Sequence, residues 1–352
     1  MTTQVGNAET EAASRMDARE RTKVVYILAW GRSGSTILDN VLGEVDGFFS
    51  AGEIRFLWVR GVTKGWRCGC GKPVVECEVW SAVLRDLSGV EADGDLQREA
   101  KEVESLQNTV ARVRHTWRLL RLSKDQLADP SLRRYTSLLD HLFHATSERS
   151  AARVVIDSSK RPSDAAMLTH VAGVDLYAVH LVRDPRAVAH SWAKRNYRVG
   201  RHGVVKSTVN WVTWNLASEA VARRLGRKAM LVRYEDFVAD PRRVIHDIVT
   251  MVGEDAARAP DLRGNELELS TNHTVSGNPS RFRTGAIKVR PDERWRNELA
   301  TWKWWVATLV ALPLLGRYRY AVRRGKRHRV PDAIEGAGPD LGPTQLTRPP
   351  RN

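Results

Sequence analysis

The sequence contains few of the features that mark secreted or membrane proteins. Only three cysteines occur in 352 residues, and all of them lie between positions 68 and 77. The longest apolar run, from Trp304 to Leu315, is shorter than the roughly 20 residues that a membrane-spanning helix needs. The N-terminal segment is polar and lacks the apolar run of a signal peptide. These absences predict a cytoplasmic protein in a reducing environment.

Acidic residues are in the minority. The chain has 41 Asp and Glu against 56 Lys and Arg, which gives a net charge of +15. Such an excess predicts an anionic partner, although part of it belongs to a basic run after residue 316 that reads as a solvated tail. The basic residues are not interleaved with aromatic residues, so we do not expect binding of nucleic acid.

Apolar segments alternate with helical segments along the chain. Four of them read as buried strands: 23–29, 153–157, 176–182 and 229–233. Asp-Pro pairs at 129–130, 184–185 and 240–241 indicate helix starts, because Asp caps free N–H groups and Pro suits the first helical position. This order predicts an α/β fold with a P-loop-like central parallel sheet flanked by helices, and a helical insertion at about 97–148. We expect a disordered arm over 1–22, one domain over 23–325 and a basic, Pro/Gly-rich disordered tail over 326–352.

A Gly/Ser loop joins the first strand to the first helix. Such a loop directs backbone N–H groups and the positive end of the helix at one point, which favours phosphate. It is not a Walker A loop, because aligning Thr36 with the last residue of that motif places Ser35 at the invariant Lys. The only cation in the loop is Arg32. An ATPase or GTPase is therefore disfavoured, and a structural turn without a ligand stays open.

Two motifs together resemble the PAPS-dependent sulfotransferases, where PAPS is 3′-phosphoadenosine-5′-phosphosulfate. The segment 30–36 resembles their 5′-phosphosulfate loop, and 181–191 resembles the element that holds the 3′-phosphate through Arg183 and Ser191. Arg183 also follows the carboxyl end of a strand, where open α/β sheets bind ligands, and its guanidinium suits phosphate. The resemblance covers about 23–322 and is closest to the bacterial and tyrosylprotein sulfotransferases.

The resemblance implies transfer of a sulfuryl group from PAPS to a hydroxyl acceptor, which is a small molecule, a carbohydrate or a lipid. No metal is expected. Tyr234 is expected beside the nucleotide or else in the core, and a late loop is expected to close over the nucleotide, with Arg283 as a weaker contact. The residues expected to bind the nucleotide are Gly31, Arg32, Ser33, Gly34, Ser35, Thr36, Arg183, Ser191, Tyr234, Asn278 and Arg281.

The expected catalytic residues are Glu53, Arg32 and Lys160. Glu53 follows a glycine in an apolar stretch, where burial is expected to raise its pKa, and the resemblance implies that it is the catalytic base. Arg32 and Lys160 are expected to stabilise the charge that develops during transfer. A carboxylate at a helix start and a solvated loop lysine are the plain alternatives for Glu53 and Lys160.

Two further features stay open. Cys68, Cys70 and Cys77 suggest zinc, but a structural zinc site needs four ligands and no fourth Cys or His lies nearby in sequence. A reduced or partly disulfide-linked loop is therefore preferred. The Trp-rich, basic segment 302–324 reads either as a last helix that packs on the core or as a peripheral contact with the inner surface of a membrane.

Two other functions remain as alternatives to sulfuryl transfer. One is a nucleotide-dependent kinase or NTPase with an atypical P-loop. The other is a non-catalytic protein that binds an anion or an acidic membrane.

Overall fold

The computed structural model describes residues 20–88, 93–194, 202–260, 262 and 264–322. The C-terminal tail predicted for 326–352 lies outside these residues, and so does the predicted N-terminal arm as far as residue 19. The first strand begins at Thr22.

The centre of the molecule is a five-stranded sheet in which every neighbouring pair of strands is parallel. The strand order is β2-β3-β1-β4-β5, which confirms the predicted parallel α/β sheet. Strands β6 and β7 form a separate antiparallel pair. The strands are β1 (Thr22–Leu28), β2 (Phe48–Gly52), β3 (Val154–Lys160), β4 (Val174–Val182), β5 (Ala229–Arg233), β6 (Glu266–Leu269) and β7 (Gly285–Lys288).

Helices cover both faces of this sheet, as the alternating pattern predicts. Four of them, α3 to α6, lie in and around the segment predicted as a helical insertion. The α-helices are α1 (Ser35–Gly43), α2 (Glu78–Ser88), α3 (Asp93–Val110), α4 (Thr116–Leu119), α5 (Lys124–Leu127), α6 (Pro130–Ser150), α7 (Pro162–Leu168), α8 (Pro185–Ala193), α9 (Val204–Leu225), α10 (Tyr234–Ala239), α11 (Pro241–Met251), α12 (Trp295–Glu298) and α13 (Thr301–Leu315).

The central strand β1 divides the core into two halves. Tyr26 and Leu28 pack in one apolar cluster, whereas Val25 and Ile27 pack in another. This is the period of two that a strand imposes on its side chains. Because both faces are buried, the strand reads in the sequence as a continuous apolar run.

The three predicted Asp-Pro helix starts are all present. The side chains of Asp129, Asp184 and Asp240 each accept a hydrogen bond from a backbone N–H in the first turn of the helix that follows. These caps satisfy donors that have no partner within the helix.

The sequence reading missed strand β2. Phe48–Gly52 contains a Ser, an Ala and a Gly, and its pattern does not stand out as a strand. In the structure it pairs with β3, whose strong apolar pattern provides the template. The hairpin β6–β7 was missed for a related reason, because each of its strands spans only four residues.

Helix α13 has one face packed inward and one face exposed. Trp304, Ala311 and Leu314 are buried, and the helix packs against α9. Among the described residues, no helix combines the length and the apolar character that crossing a bilayer requires.

Candidate active site

Each strand of the parallel sheet contributes one predicted site residue or segment at its carboxyl end. Glu53 follows β2, Lys160 ends β3 and the Gly31–Thr36 loop follows β1. Arg183 follows β4, and Tyr234 follows β5. Given the strand order, these groups lie along one edge of the sheet, with Glu53 and Lys160 on one side of the loop and Arg183 and Tyr234 on the other.

The loop after β1 adopts a conformation that directs backbone groups at one point. Arg32 and Gly34 both have positive φ angles, 73° and 92°. Gly34 is the N-cap of α1, no side chain caps this helix, and its first turn contains no acidic residue. The helix start is therefore free of the usual protein anion and suits a bound phosphate or sulfate.

The loop and the Arg183 motif are in direct contact. Arg32 Nε donates to Ser191 Oγ at 3.0 Å, and Arg183 Nη1 donates to the backbone oxygen of Arg32 at 3.1 Å. Burial and the nearby charge of Arg183 lower the pKa of the Arg32 guanidinium. The structure thus brings together the two motifs that carry the resemblance, although 159 residues separate Arg32 from Ser191.

Asp292 faces this pair of arginines. Its carboxylate lies 3.3 Å from Arg183 Nη2. Burial alone would raise the pKa of Asp292, but its hydrogen bond with Arg294 and the charges of Arg183 and Arg294 bring it down to about 2. A single carboxylate therefore faces two cations that are both largely buried, which leaves this region able to accept a further anion.

Two buried polar atoms at the same place have no hydrogen-bond partner within the described residues. They are Ser33 Oγ in the loop and Nε of Arg183. Buried polar groups without a partner are uncommon in native structures and often mark the position of a ligand. Both atoms are donors, as an anionic ligand requires.

The Tyr234 side chain is a core residue, and its predicted position beside the nucleotide stays a prediction. It is buried, and its ring packs against Gly34 so closely that a Cβ added at Gly34 would lie 2.6 Å from Cε2. The Arg183 guanidinium carbon lies 4.4 Å from the centre of the same ring. Tyr234 is thus a core residue that also supports the loop and Arg183.

Glu53 is the centre of a second cluster. Its carboxylate accepts a hydrogen bond from Lys160 Nζ at 2.5 Å and another from Arg60 Nη1 at 3.0 Å. Arg60 Nη1 also donates to Ser276 Oγ at 2.6 Å, and that hydroxyl lies 3.4 Å from Glu53 Oε2. The predicted pair of Glu53 and Lys160 is therefore in contact.

The expected pKa of Glu53 was wrong in direction. Burial is the largest influence and would raise the pKa, but the charges of Lys160 and Arg60 and their hydrogen bonds together lower it below the ordinary value. The apolar local sequence could not reveal this, because neither cation is adjacent to Glu53 in the chain.

Arg60 and Ser276 were missed by the sequence reading. Arg60 lies on a π-helical turn, Leu57–Thr63, and such turns are often found at functional sites. Its guanidinium carbon stacks 3.6 Å from the centre of the Phe56 ring. The local sequence gave no signal for this pair, because Glu53 and Arg60 are seven residues apart and no regular α-helix joins them.

A buried carboxylate of α1 fixes the position of the loop relative to the Glu53 cluster. Asp39 accepts hydrogen bonds from Ser50 of β2 and Ser158 of β3, each at 2.6 Å. Burial raises the pKa of Asp39 to about 6. Because α1 begins at the loop, these bonds fix the position of the loop relative to Glu53 and Lys160.

The late loop has different contacts from those predicted. Arg281 is buried, and its guanidinium donates to the backbone oxygens of Thr274, at 2.5 Å, and Arg67. These contacts show that Arg281 holds two loops together, and its predicted contact with phosphate stays a prediction. Asn278 is exposed and caps a short helical turn, and its backbone N–H lies 3.5 Å from Thr36 Oγ1. Asn278 therefore lies beside the loop, whereas Arg283 is exposed.

A cavity of about 480 Å³ adjoins this edge of the sheet. Arg183, Tyr234 and Asp292 line it, together with Trp295 and Tyr320. Glu53, Lys160 and the loop do not line it, so it is a neighbour of the Glu53 cluster and not its centre.

The family of the chain follows from a match over most of its length. Residues 25–258 match the model of the sulfotransferase family. This match covers well over half of the chain, and the chain therefore belongs to the sulfotransferase family. The family predicted from the loop and the Arg183 motif is thus confirmed. PAPS is the co-substrate of sulfotransferases, so the predicted co-substrate is confirmed at the level of the family.

Several solved structures are similar to this chain. The sulfotransferase domain of the Synechococcus PCC 7002 olefin synthase is 21% identical, with a TM-score of 0.47, over 87% of this chain and 97% of that one. A sulfotransferase from Mycobacterium tuberculosis is 14% identical, with a TM-score of 0.38, over 72% and 74% of the two chains. Retinol dehydratase, solved with retinol and PAP, is 16% identical, with a TM-score of 0.34, over 87% and 85%. No curated protein matches the chain.

The contact between Gly34 and Tyr234 leads to a test of the loop. In Gly34→Ala the new Cβ would meet the Tyr234 ring at a φ of +92°. We expect the affinity for adenosine 3′,5′-bisphosphate to fall about tenfold or more, because strain of this kind costs about 1–3 kcal/mol. Calorimetric titration with this nucleotide measures the change in affinity.

Gly65→Ala is the matched control. Gly65 also has a positive φ, +60°, but nothing lies within 4 Å of a Cβ built there. We expect this variant to bind the nucleotide as the wild type does. Equal binding by both variants would contradict the role of the loop.

Proposed function

We propose that the chain transfers a sulfuryl group from PAPS to a hydroxyl acceptor, with Glu53 as the base. The observation that carries the proposal is the order of groups along the carboxyl edge of the sheet. The loop lies between two clusters, one with a carboxylate and a lysine for the reacting end of the donor and one with two arginines for its other end. A donor with phosphates at both its 5′ and 3′ positions matches this arrangement.

Binding of the donor would use the groups that now lack an anion. The Gly31–Thr36 loop and the uncapped start of α1 would hold the 5′-phosphosulfate. Arg183 and Ser191 would hold the 3′-phosphate, with Tyr234 supporting Arg183 from its ring face. The buried, unpartnered Ser33 hydroxyl and Arg183 Nε support this assignment.

In the transfer step, the acceptor oxygen forms a bond to sulfur while the bond from sulfur to the bridging phosphate oxygen breaks. Glu53 takes the proton of the acceptor hydroxyl. Lys160 and Arg32 offset the negative charge that develops on the leaving phosphate and the sulfuryl oxygens. The products are a sulfate ester and adenosine 3′,5′-bisphosphate. The acceptor would be a hydroxyl of a small molecule, a carbohydrate or a lipid.

A kinase or NTPase has less support from the same site. The loop has no Walker lysine, and Ser35 occupies that position. Mg²⁺-dependent hydrolysis of ATP in preference to use of PAPS would favour that alternative.

The preference for a 3′-phosphate tests the donor assignment. The wild type should bind adenosine 3′,5′-bisphosphate more tightly than adenosine 5′-monophosphate. Arg183→Met should weaken bisphosphate binding by about 10- to 100-fold, because a charge-assisted hydrogen bond contributes about 1.5–3 kcal/mol. Calorimetric titration of both nucleotides measures this.

The monophosphate is the internal control for Arg183→Met. Arg183 also holds the backbone oxygen of Arg32. A general distortion of the loop would therefore weaken both nucleotides, whereas loss of the 3′-phosphate contact weakens only the bisphosphate. Equal affinity of the wild type for the two nucleotides would contradict the assignment.

Replacement of the base tests the proposed chemistry. Glu53→Gln keeps the shape of the side chain but removes the proton acceptor, and turnover should fall by about 10²–10⁴. The affinity for the bisphosphate should not fall, because loss of the Glu53 charge leaves Lys160 without a competing carboxylate. Glu76→Gln, at an exposed carboxylate, is the control that should keep full turnover.

The pH profile adds a readout that a purely structural role would not give. The pKa of Glu53 lies below 4.5, so this carboxylate stays ionised as the pH falls to that value. The acidic limb of kcat/KM should therefore lie below pH 4.5. An anionic donor would compete with Glu53 for Lys160, and this competition would raise the pKa of Glu53. The acidic limb of kcat should therefore lie at a higher pH than the acidic limb of kcat/KM. A limb of kcat/KM near pH 6.5 would contradict Glu53 as the base.

We also propose that helix α13 makes a peripheral contact with an acidic membrane. Trp302, Trp305, Leu309 and Leu312 are 61%, 48%, 62% and 48% exposed, and their spacing places them on one face of the helix. Lys303 on the same helix provides positive charge for anionic headgroups, whereas Arg317 just beyond its end is paired with Glu219 at 2.6 Å. This contact would bring lipid acceptors close to the enzyme.

Vesicle binding tests this contact. The double variant Leu309→Glu, Leu312→Glu should bind vesicles of phosphatidylglycerol at least about tenfold more weakly than the wild type, because each leucine loses favourable apolar burial. Trp117→Glu, at another exposed apolar residue, is the matched control and should bind normally. Unchanged binding by the double variant would contradict the proposal.

A further inference from the structure

The three cysteines of the chain meet a histidine that the sequence places far away. The side-chain donor atoms of Cys68, Cys70, Cys77 and His273 all lie within 4.8 Å of one another. His273 is 196 residues beyond Cys77 in the chain. The fold therefore supplies the fourth ligand. The absence of such a residue from the local sequence had argued against a metal.

The distances between these atoms suit one tetrahedral ion. His273 Nδ1 lies 3.2 Å from Cys77 Sγ and 3.9 Å from Cys68 Sγ. Ordinary zinc–sulfur and zinc–nitrogen bond lengths with a tetrahedral angle give about 3.6 Å between a sulfur and a nitrogen ligand. The two observed distances lie on either side of this value.

The surroundings of the sulfurs resemble those of bound thiolates. Cys77 lies directly before α2, and its backbone oxygen accepts a hydrogen bond from Ser81 N–H at 2.8 Å, so it stands at the helix start, where the backbone N–H groups have no partner within the helix. Gly71, with a φ of +87°, completes a tight turn in which its N–H donates to the Cys68 backbone oxygen at 2.9 Å. Such N–H groups and the helix start stabilise negative charge on sulfur.

His273 is oriented from both sides. Its Nδ1 faces the sulfurs, and its other ring nitrogen, Nε2, lies 3.6 Å from a carboxylate oxygen of Glu78. Its backbone oxygen accepts a hydrogen bond from Trp80 Nε1, and its ring stacks with that of Phe49. A carboxylate behind the imidazole is the usual outer partner of a metal-binding histidine.

We propose that Cys68, Cys70, Cys77 and His273 form a structural zinc site. Three thiolates and an imidazole in a tetrahedral set are soft ligands that favour zinc. Four protein ligands close the coordination shell, so the ion would have no open position for a substrate and would act on the fold. Its binding would release the protons of the thiols.

The ion would join two loops that meet at the base. The cysteine loop already contacts the late loop through Gly69 N–H and the backbone oxygen of Thr274, at 3.0 Å. Three residues beyond His273, Ser276 lies beside Glu53 and accepts the Glu53 backbone N–H at 3.1 Å. A zinc ion at His273 would therefore fix the segment that positions Ser276.

Metal and thiol analysis of the full chain tests the site without any use of sulfuryl transfer. The protein is purified with an affinity tag free of histidine and without added metal, and its metals are measured by mass spectrometry. We expect about one zinc ion per chain and three thiols that react once the protein is denatured. Cobalt substitution should give the intense visible absorption and the thiolate charge-transfer bands of a tetrahedral site.

The variant His273→Gln should lose at least about tenfold in zinc affinity, measured against a competing chelator. His246→Gln, at an exposed histidine, is the matched control and should keep the zinc. If His273→Gln does not fold, the cobalt spectrum of the wild type still decides the outcome. The proposal would be overturned if the reduced wild type took up neither zinc nor cobalt. It would also be overturned if the purified protein contained iron in place of zinc, or if fewer than three thiols reacted before reduction.

Discussion

The functional part of this fold depends on the parallel direction of five strands. Because every strand ends at the same edge of the sheet, residues from five distant parts of the chain become neighbours. Glu53, Lys160, Arg32, Arg183 and Tyr234 all follow from this one constraint. Their order along the edge is the order of the strands and not the order of the sequence, and this places Glu53 and Lys160 on one side of the loop and Arg183 and Tyr234 on the other.

The electrostatic balance of the site is the second constraint. Lys160 and Arg60 share the Glu53 carboxylate, and Arg183 has Asp292, so the protein supplies partial compensation for its own cations. Such an arrangement limits the cost of holding buried positive charge in the free enzyme. If the donor binds as proposed, it would compete with these carboxylates for the same cations, and its binding would be coupled to the protonation of Glu53.

Much of the fold could be predicted from the sequence, because the strands that lie between others in the sheet are buried on both faces and read as apolar runs. The helix starts at Asp129, Asp184 and Asp240 follow from local capping chemistry. Strand β2 could not be predicted, because its pairing with β3 and not its own composition makes it a strand. The pKa of Glu53 could not be predicted, because only the tertiary structure brings Lys160 and Arg60 near it. The position of His273 beside the cysteines likewise depends on the tertiary structure.

The late loop shows how a residue that looks like a ligand contact can serve the site indirectly. Arg281 binds the backbone oxygens of Arg67 and Thr274, and so it joins the same two loops that the cysteine–histidine cluster joins. Gly52, directly before Glu53, packs against this loop so closely that a Cβ there would lie 2.7 Å from the Ser276 backbone oxygen. Three separate contacts thus hold the late loop against the cysteine loop and the end of β2. Because Arg60 bridges Glu53 and Ser276, any shift of this loop would change the hydrogen bonds that help to set the pKa of Glu53.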